Sequence, residues 1–383
     1  MSQTPTTPVL STATQEETAP VDPRFASTKQ GHPVRTRAAT LLERTRPFLA
    51  AGALEESDIA ILDAASARFP LTEDPEVALA LAFALAAPRQ GHLGVELTKL
   101  DARLTDERLK VKDADGREVE LRGKLPKDLA AWEARVRKHA VVSAAVAHPV
   151  LPFVFQSIGT AATGRSNAGS DAGAAGDGIL MTCRMWRQQR RLADGLQLLA
   201  EGTPGWRPDP ETVERRLDAI YGTPSANSAA DPGADNTEAR AAAQAVANGC
   251  LTVITGGPGT GKTWGIKRVL ALLIEIAQAE DRSLAIELAA PTGKAAVRMA
   301  EAMASEATIE GVEPETIEQL KALQPRTLHR LMGKLPHKPQ GFRHGKSNRL
   351  GADIVVVDEA SMIDVMMMRH LVEAIADGKR LVL

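Results

Sequence analysis

The chain has 383 residues, a formal net charge of −2 and 44% hydrophobic residues, which is enough for two or three domains with their own cores. The near-neutral charge excludes a protein that is basic throughout, so any nucleic-acid site has to be local. Two cysteines and no apolar run of about eighteen residues exclude a disulfide scaffold and a membrane span, and no signal peptide opens the chain; we expect a soluble, cytoplasmic protein.

The first 140 residues predict a tail followed by helices. Residues 1–35 are rich in Thr, Pro, Ser and Gln, a composition typical of disorder. Residues 39–100 have helical periodicity, and residues 77–85 are apolar all round, which predicts a helix buried among other helices. The strongly charged residues 101–140 indicate a solvated, mostly helical surface element.

The next hundred residues alternate between ordered and flexible patterns. Residues 148–155 and 179–182 predict strands, and a helix is expected over 186–199. The segment at 156–178 is low in complexity, with Gly, Ala and Ser, and is predicted to be a flexible loop. A second such segment, 222–236, is predicted to be a linker.

These patterns divide the chain into two domains. We expect a mostly helical N-terminal domain over 36–221 and an α/β domain over 237–383. The second domain opens with an alanine-rich helix at 238–247.

A glycine-rich loop follows that helix and is the strongest signal in the chain. Residues 251–255 predict a buried strand and residues 266–273 a helix, and the sequence between them fits the pattern G-x-x-x-x-G-K-[ST]. Glycine allows such a loop to curl around phosphate oxygens, and the following helix directs unpaired N–H groups at the same anion. Lys262 is expected to reach the β and γ phosphates of a nucleoside triphosphate, and Thr263 to hold Mg²⁺. The predicted phosphate-binding residues are Gly256, Gly257, Pro258, Gly259, Thr260, Gly261, Lys262 and Thr263.

An acidic pair forms the second signal. Residues 354–357 are a β-branched run typical of a central parallel strand, and Asp358 and Glu359 follow directly. Ligands of open α/β sheets bind at the carboxyl ends of the strands, so these carboxylates are expected beside the phosphate loop. Asp358 is the candidate magnesium ligand, and Glu359 is the candidate for polarising the attacking water.

A further anion-binding pattern lies between the glycine-rich loop and the acidic pair in the sequence. A predicted strand at 285–290 runs into Thr292, Gly293 and Lys294 at the start of another helix. A hydroxyl, a bare backbone and a cation at a helix N-terminus suit a phosphate of single-stranded nucleic acid. They equally suit a helix cap with a solvated lysine, and the two interpretations stay open.

Four motifs in this order, GGPGTGKT, APTGKAA, TLHRLMG (327–333) and VVVDEASM, resemble the superfamily 1 DNA helicases. Among these, the sequence is most similar to the RecD family, the alpha subunits of exodeoxyribonuclease V. The resemblance implies a parallel-sheet P-loop NTPase (RecA-like) core that uses ATP and Mg²⁺. It also implies a 5′-to-3′ helicase in double-strand break repair and recombination, with Thr292, Gly293, Lys294, Thr327 and His329 along single-stranded DNA. A helix-packing role for His329 weighs about equally.

The resemblance continues more weakly into the N-terminal half, through residues 77–97 with the segment RQGHL and through 179–189. In the family, this domain contacts the partner subunits, so RecB-like and RecC-like partners are implied. The family also reads adenine with a glutamine upstream of the phosphate loop. Gln244 is the nearest candidate in this sequence, although it lies closer to the loop than expected.

The last four residues, 380–383, are an apolar strand start where the family continues into a second motor domain with a catalytic arginine. We therefore expect a truncated core that is incomplete at its C-terminus, lacks a central strand, binds Mg-ATP weakly and hydrolyses it slowly. DNA-stimulated turnover at a helicase rate by this chain alone would refute that expectation. Two alternatives are a nucleotide-binding assembly subunit and a stand-alone RecD-like helicase; the second is disfavoured because no glycine-rich helical hairpin pairs precede the core.

Overall fold

The structure is a computed structural model. The residues that it describes are 34–69, 71, 73–104, 111–112, 118–119, 121–145, 149–158, 178–222, 237–257, 261–305, 309–336 and 341–383. Nearly all of the tail predicted at 1–35, the loop predicted at 156–178 and the linker predicted at 222–236 lies outside the described residues. Among the described residues, no helix combines the length and the apolarity that a bilayer crossing demands.

Helices dominate the first part of the chain. The three helices of the first hydrophobic core are α1 (Val34–Ala50), α2 (Glu56–Ser66) and α3 (Pro75–Ala86). Pro75 and the Asp74 cap, whose carboxylate accepts a hydrogen bond from the Val77 N–H, fix the start of α3. The side chains from Val77 to Ala84 are 0–5% exposed, which confirms the predicted burial of this helix.

Smaller elements complete the first core. They are α4 (Leu100–Arg103), β1 (Val111–Lys112), β2 (Glu118–Val119), α5 (Leu129–Lys138), β3 (Val142–Ala144), β4 (Phe153–Ser157) and β5 (Gly178–Thr182). The β1–β2 pair is an antiparallel ribbon, whereas β4 pairs parallel to β3 and antiparallel to β5.

The charged segment 101–140 differs from its prediction as a purely solvated element. Its helix, α5, turns an apolar stripe inward, so that Trp132 and Val136 are 2% and 0% exposed. The Trp132 indole N–H donates to the Glu76 carbonyl at 2.8 Å, which satisfies the polar atom of this buried ring. Apart from the buried Glu133, the charged residues of α5 are at least partly exposed, and their abundance concealed the inward stripe.

One partly buried ion pair joins α2 to the turn that follows α3. The Asp58 side chain is fully buried. Its carboxylate accepts hydrogen bonds from both terminal guanidinium nitrogens of Arg89, one of them at 2.9 Å, and from the Glu55 N–H at 2.9 Å. The neighbouring Gln90 amide donates to the Ala53 carbonyl at 3.0 Å. The segment RQGHL therefore serves to fasten α2 to the turn that follows α3.

Replacing Asp58 by alanine is expected to lower the free energy of unfolding by roughly 3 kcal/mol, because the substitution leaves Arg89 and the Glu55 N–H without their shared acceptor. Urea unfolding followed by tryptophan fluorescence measures the change. The control is Lys99→Ala, which removes an exposed ion pair with Glu96 and should cost less than about 0.5 kcal/mol. Equal effects of the two substitutions would show that the Asp58 pair is energetically a surface pair.

Two helices connect the first core to the second. They are α6 (Cys183–Glu201) and α7 (Pro210–Tyr221). The predicted leucine face of α6 packs on a second hydrophobic region, which belongs to the α/β part of the chain, through Leu192, Leu196 and Leu199. The helix α7 contributes Leu217 and Ile220 to another core of that part. The helix α7 precedes the predicted linker and yet packs in the same hydrophobic core as residues that follow it. The domain boundary near 222–236 remains a prediction.

The second unit is an α/β sandwich. Its elements are α8 (Thr237–Asn248), β6 (Leu251–Thr252), α9 (Lys262–Ala279), β7 (Ile286–Ala290), α10 (Gly293–Ala304), α11 (Pro314–Ala322), β8 (Arg326–Thr327), α12 (Leu328–Met332), β9 (Ile354–Val357), α13 (Val365–Ala374) and β10 (Arg380–Val382). The five strands are all parallel, in the order β6-β10-β9-β7-β8. This confirms the predicted parallel-sheet core, and the four residues of β9 are those predicted.

The final strand, β10, contradicts the expectation that a central strand of the sheet is missing. The strand β10 lies between β6 and β9 and pairs with both. Its buried Arg380 donates to the carbonyls of Val246, Ala247 and Trp206 at 2.8 Å each. Burial lowers the pKa of Arg380 to about 10, which leaves it protonated at neutral pH. Because a guanidinium binds carbonyls in several directions, Arg380 fixes the end of α8 against the sheet.

Candidate functional site

The described part of the glycine-rich loop lies between β6 and α9. Gly261 has a φ of +77°, a conformation that favours glycine, and Lys262 begins α9 directly after it. The exposed Lys262 ammonium donates to the Gly256 carbonyl at 2.8 Å, across the base of the loop. Pro258, Gly259 and Thr260 lie outside the described residues. The described residues therefore give a helix N-terminus with a cation in its first position, which suits an anion.

The acidic pair lies in the same cleft as this cation. A cavity of about 400 Å³ is lined by Lys262, by Asp358 and Glu359 at the end of β9, and by Leu383 after β10. The strands β6 and β9 are not neighbours, since β10 lies between them. The parallel sheet nevertheless brings the two motifs, almost a hundred residues apart, to one edge, as the position of Asp358 after the strand predicts.

The backbone at the acidic pair has an unusual conformation. Glu359 has a φ of +54°, in the left-handed region that side chains other than glycine rarely adopt. Its N–H donates to the Asp358 carboxylate at 2.8 Å, and the Asp358 N–H donates to the Ala289 carbonyl at 3.0 Å. Asp358 is therefore held by two backbone contacts, while Glu359 is exposed beyond the strand. Such local strain is found preferentially at functional sites.

The donor set of this cleft fits a magnesium ion that is also bound by phosphate. Mg²⁺ takes one or two protein oxygens and completes its octahedron with waters and phosphate oxygens. The Asp358 carboxylate lines the cleft, and Thr263 lies in the first turn of α9. The described residues hold no group of three or more His, Cys, Asp or Glu side chains that could bind a metal. These residues fit a metal carried by a nucleotide rather than an ion held by protein alone.

The other predicted anion-binding residues follow β7 and β8, which lie at the opposite end of the strand order from β6. Thr292 caps α10, and its hydroxyl accepts a hydrogen bond from the Ala295 N–H at 3.2 Å; Gly293 and Lys294 are exposed. Thr327 pairs with Ala290 in the parallel register of β8 and β7, so the Thr292 and Thr327 segments emerge side by side. The structure thus brings together two motifs that are 35 positions apart in sequence.

His329 is exposed on the short helix α12 and is not buried among helices. Its ring lies 6.0 Å from that of Phe342, which in turn lies 5.1 Å from the ring of His370. Burial, followed by the charge of Arg369, lowers the pKa of His370. An exposed imidazole beside two further rings is available for contact with a ligand.

A buried lysine connects the loop helix to α10. Lys267 lies two turns into α9 and is 0% exposed, and its ammonium donates to the Ser305 carbonyl at 2.8 Å and hydroxyl at 3.1 Å. Burial, with Lys321 nearby, lowers the pKa of Lys267. Ser305 ends α10, whose other end carries Thr292 and Lys294. The contact therefore joins α9 to the C-terminal end of α10, and sequence reasoning missed it because a lysine in a helix is ordinarily solvent-exposed.

Sequence reasoning also missed a local concentration of positive charge. No Asp or Glu occurs between Gln324 and Ala352, whereas this stretch holds seven Lys and Arg residues in a chain of net charge −2. They are Arg326, Arg330, Lys334, Lys338, Arg343, Lys346 and Arg349. A charge count along the sequence would have found this segment, which contains both β8 and His329.

Gln244 differs from its suggested role of reading adenine. Its side-chain amide donates to the Glu214 carboxylate at 2.8 Å, on α7. It lines neither the cleft of the acidic pair nor a second cleft, of about 440 Å³, that also borders the described part of the loop. That second cleft lies between α8 and α9 and contains Glu238, Trp264 and Arg268.

Comparison with known proteins finds two families that match different parts of the chain. Residues 51–158 match the family described as the N-terminal domain of the RecBCD enzyme subunit RecD, and residues 238–383 match the family described as AAA domain. The RecBCD enzyme subunit RecD of Mycobacterium tuberculosis is 34% identical over 342 residues, which cover 88% of this chain and 48% of that protein. Along most of its length, the chain is therefore similar to subunits of the RecD type.

Other relatives agree over shorter stretches. The RecBCD enzyme subunit RecD of Mycolicibacterium smegmatis is 41% identical over 207 residues, or 54% of this chain and 34% of that protein. The ATP-dependent RecD2 DNA helicase of Deinococcus radiodurans is 38% identical over 133 residues, or 35% of this chain and 15% of that protein. The chain thus spans about half the length, or less, of the curated RecD relatives that it matches. The match of residues 238–383 to the AAA domain indicates a nucleotide-binding core.

Proposed function

We propose that the chain is the motor-core part of a RecD-type, 5′-to-3′ ATP-dependent DNA helicase subunit of a RecBCD-type exodeoxyribonuclease V. The observation that carries the proposal is the shared cleft of Lys262, Asp358 and Glu359, at the carboxyl edge of an all-parallel sheet. This arrangement combines an anion-binding loop, a metal ligand and a carboxylate base, which are the parts that hydrolysis of a nucleoside triphosphate requires.

In the proposed mechanism, each residue has one task. The N–H groups of the loop and the Lys262 ammonium bind the phosphate chain of ATP. Thr263 and Asp358 hold Mg²⁺, which neutralises phosphate charge when bound. Glu359 orients and polarises the attacking water, and its exposed position beyond β9 leaves space for that water. Thr292, Gly293, Lys294, Thr327 and His329 contact single-stranded DNA, with the basic segment 324–352 supplying local positive charge.

The N-terminal domain is proposed to dock RecB-like and RecC-like subunits in the cytoplasm. Support comes from the match of residues 51–158 to the N-terminal domain of a subunit named for its complex, and from relatives that carry the same name. A second candidate function is an assembly subunit in which nucleotide binding is structural. The cleft shared by Lys262, Asp358 and Glu359 favours the motor, because it combines groups that hydrolysis requires and that a purely structural nucleotide site does not need.

Reconstitution with RecB-like and RecC-like subunits distinguishes the two candidates. With Lys262→Ala, a motor is expected to assemble normally but to lose 5′-to-3′ unwinding, measured on a duplex with a single-stranded 5′ overhang. Assembly is measured by size-exclusion chromatography. Intact unwinding, or unwinding lost only because the complex no longer assembles, contradicts the motor function and supports the structural one.

Replacing Lys294 by alanine is expected to weaken binding of single-stranded DNA by roughly three- to tenfold. It should also reduce the slope of log affinity against log salt by about 0.7, since one phosphate contact is lost. Fluorescence anisotropy with a labelled oligonucleotide at several salt concentrations measures both. Lys138→Ala, at an exposed position on α5, is the matched control and should leave the slope unchanged. An unchanged slope for Lys294→Ala would support the helix cap with a solvated lysine.

A further inference from the structure

The helix α6 runs without interruption from the sheet of β3, β4 and β5, here called the N-terminal sheet, to the α/β part of the chain. At its first turn, Cys183 and Trp186 are buried in a small core shared with β4 and β5. The Arg187 guanidinium also donates to the Pro149 carbonyl at 3.1 Å. The helix spans roughly 28 Å, since each residue adds about 1.5 Å. A displacement of the N-terminal sheet therefore carries the far half of α6 with it.

The far half of α6 packs closely against α13. Its leucine face lies in the same hydrophobic core as Leu371 and Val372 of α13. Gly195 faces α13 at such short range that an added Cβ would lie 2.7 Å from Cγ1 of Val372. Carbon atoms in favourable contact are about 3.5–4.0 Å apart. The missing side chain at position 195 thus sets how closely the two helices approach.

Val372 has little freedom to turn away from an atom added at position 195. Its side chain is 4% exposed, and a β-branched side chain in a helix has one strongly preferred rotamer. A densely packed interior also transmits strain to its neighbours. A methyl group at position 195 is therefore expected to displace α6 and α13 relative to each other.

The start of α13 is connected to Glu359 by a short, hydrogen-bonded segment. Only residues 360–363 separate Glu359 from Asp364, whose carboxylate caps α13 by accepting from the Met367 N–H at 2.9 Å. Within the segment, the Met362 N–H donates to the Glu359 carbonyl at 3.0 Å. The residue proposed to act on the attacking water is thus attached to the N-terminal end of α13.

A cleft of about 500 Å³ borders the same connection. Residues 363–366 line this cleft together with Leu85, Leu93 and Met185, which belong to the N-terminal part of the chain and to the start of α6. The cleft gives the start of α13 space to move. The packing of α6 on the remainder of α13 then decides where that helix lies.

We propose that Gly195 and Val372 are positioning residues for hydrolysis, and that the N-terminal part of the chain acts on Glu359 through the contact between α6 and α13. The inference rests on the proposed nucleotide-hydrolysing function and specifies how that site is regulated. A partner that shifts the N-terminal sheet moves α6, α13 and Glu359 in turn. The phosphates are bound from α9, by Lys262, so the contact controls the rate of hydrolysis and not the affinity for nucleotide.

Gly195→Ala is expected to slow single-turnover hydrolysis of radiolabelled ATP by roughly tenfold, since misplacing a catalytic group by about 1 Å can cost about 100-fold. The dissociation constant for Mg-ATP, measured by calorimetric titration, should stay within about twofold. Adding Val372→Ala removes the atom that the new methyl group meets, and the double variant should recover to within about twofold of the wild-type rate. Gly123→Ala is the matched control, because its added Cβ meets no atom of the described residues within 4 Å. It should change neither quantity.

Val372→Ala alone tests the same contact by loosening it instead of crowding it, and should slow hydrolysis by roughly threefold. Unfolding in urea checks that each variant is folded.

Combination with Glu359→Gln tests whether the effect passes through the carboxylate. In that background, Gly195→Ala should slow the residual hydrolysis by less than about twofold, because a group that accepts no proton loses nothing when it is displaced. Wild-type hydrolysis in the Gly195 and Val372 single variants, a double variant that stays slow, or an undiminished loss beside Glu359→Gln overturns the inference and leaves the nucleotide site intact. If the wild-type chain neither binds nor hydrolyses Mg-ATP, the proposed function and its regulation are both refuted.

Discussion

Replacing Glu359 by glutamine is expected to slow ATP hydrolysis by about 10²- to 10⁴-fold while leaving ATP affinity within about twofold. The amide keeps the shape of the side chain and its left-handed backbone, but it cannot accept a proton from the attacking water. Because Asp358 and Lys262 are untouched, binding of the phosphates and of Mg²⁺ should persist. Single-turnover hydrolysis of radiolabelled ATP, at saturating single-stranded DNA, measures the rate of the chemical step apart from product release.

The matched control for this substitution is Asp377→Asn, which makes the same change of carboxylate to amide at a side chain that is fully exposed. It should leave both rate and affinity unchanged. If Glu359→Gln slows hydrolysis by less than about fivefold, Glu359 is not the group that activates water. If affinity falls in parallel with rate, the residue contributes to binding instead, and its assignment has to change.

Replacing Lys262 by alanine is expected to weaken Mg-ATP binding by roughly 100-fold, or about 2.7 kcal/mol. Lys262 is the cation at the start of α9 and lines both clefts beside the loop. Its ammonium would make charge-assisted hydrogen bonds to two phosphates, each worth about 1.5 kcal/mol or more. Calorimetric titration of the isolated chain measures the loss, and tripolyphosphate should lose affinity to the same extent as ATP.

Two further variants sharpen this result. Lys127→Ala removes an exposed lysine of the N-terminal domain and should have no effect on binding. Lys262→Arg keeps the charge but presents a planar fork, and it is expected to recover only part of the affinity. Wild-type affinity in Lys262→Ala would mean that the nucleotide binds elsewhere. The circular dichroism spectrum should be unchanged in all three variants, because both lysines are solvent-exposed.

The motifs of the nucleotide site were readable because each is short and has a fixed relation to one element. The loop has to follow a strand and precede a helix, and the acidic pair has to end a β-branched run. The positions of residues 251–263 and 354–359 in the fold are therefore predictable from the local sequence. Helix α3 was predictable for the same reason, since a run that is apolar on all sides has to be buried. These features depend on neighbours within about ten positions.

Other features depend on contacts between distant segments. Because β10 lies between β6 and β9, the strands that lead to Lys262 and Asp358 are not adjacent, and the two residues line one cleft together with Leu383. Nothing in the residues 380–383 alone distinguishes a central strand from an edge strand. Likewise, the charge of Lys267 gives no sign of its contact with Ser305, because only the packing of α10 on α9 buries it.

The sequence by itself determined which chemistry this protein carries: glycines for a tight anion-binding loop, a lysine, and two carboxylates after a strand. Tertiary structure alone decided which residues share a cleft. In the folded chain, Gln244 donates a hydrogen bond to Glu214 on α7, whereas Glu238, Trp264 and Arg268 line the second cleft. The physical reason is that backbone propensity acts over a few residues, whereas strand order and helix packing arise from burying apolar surface along the whole chain.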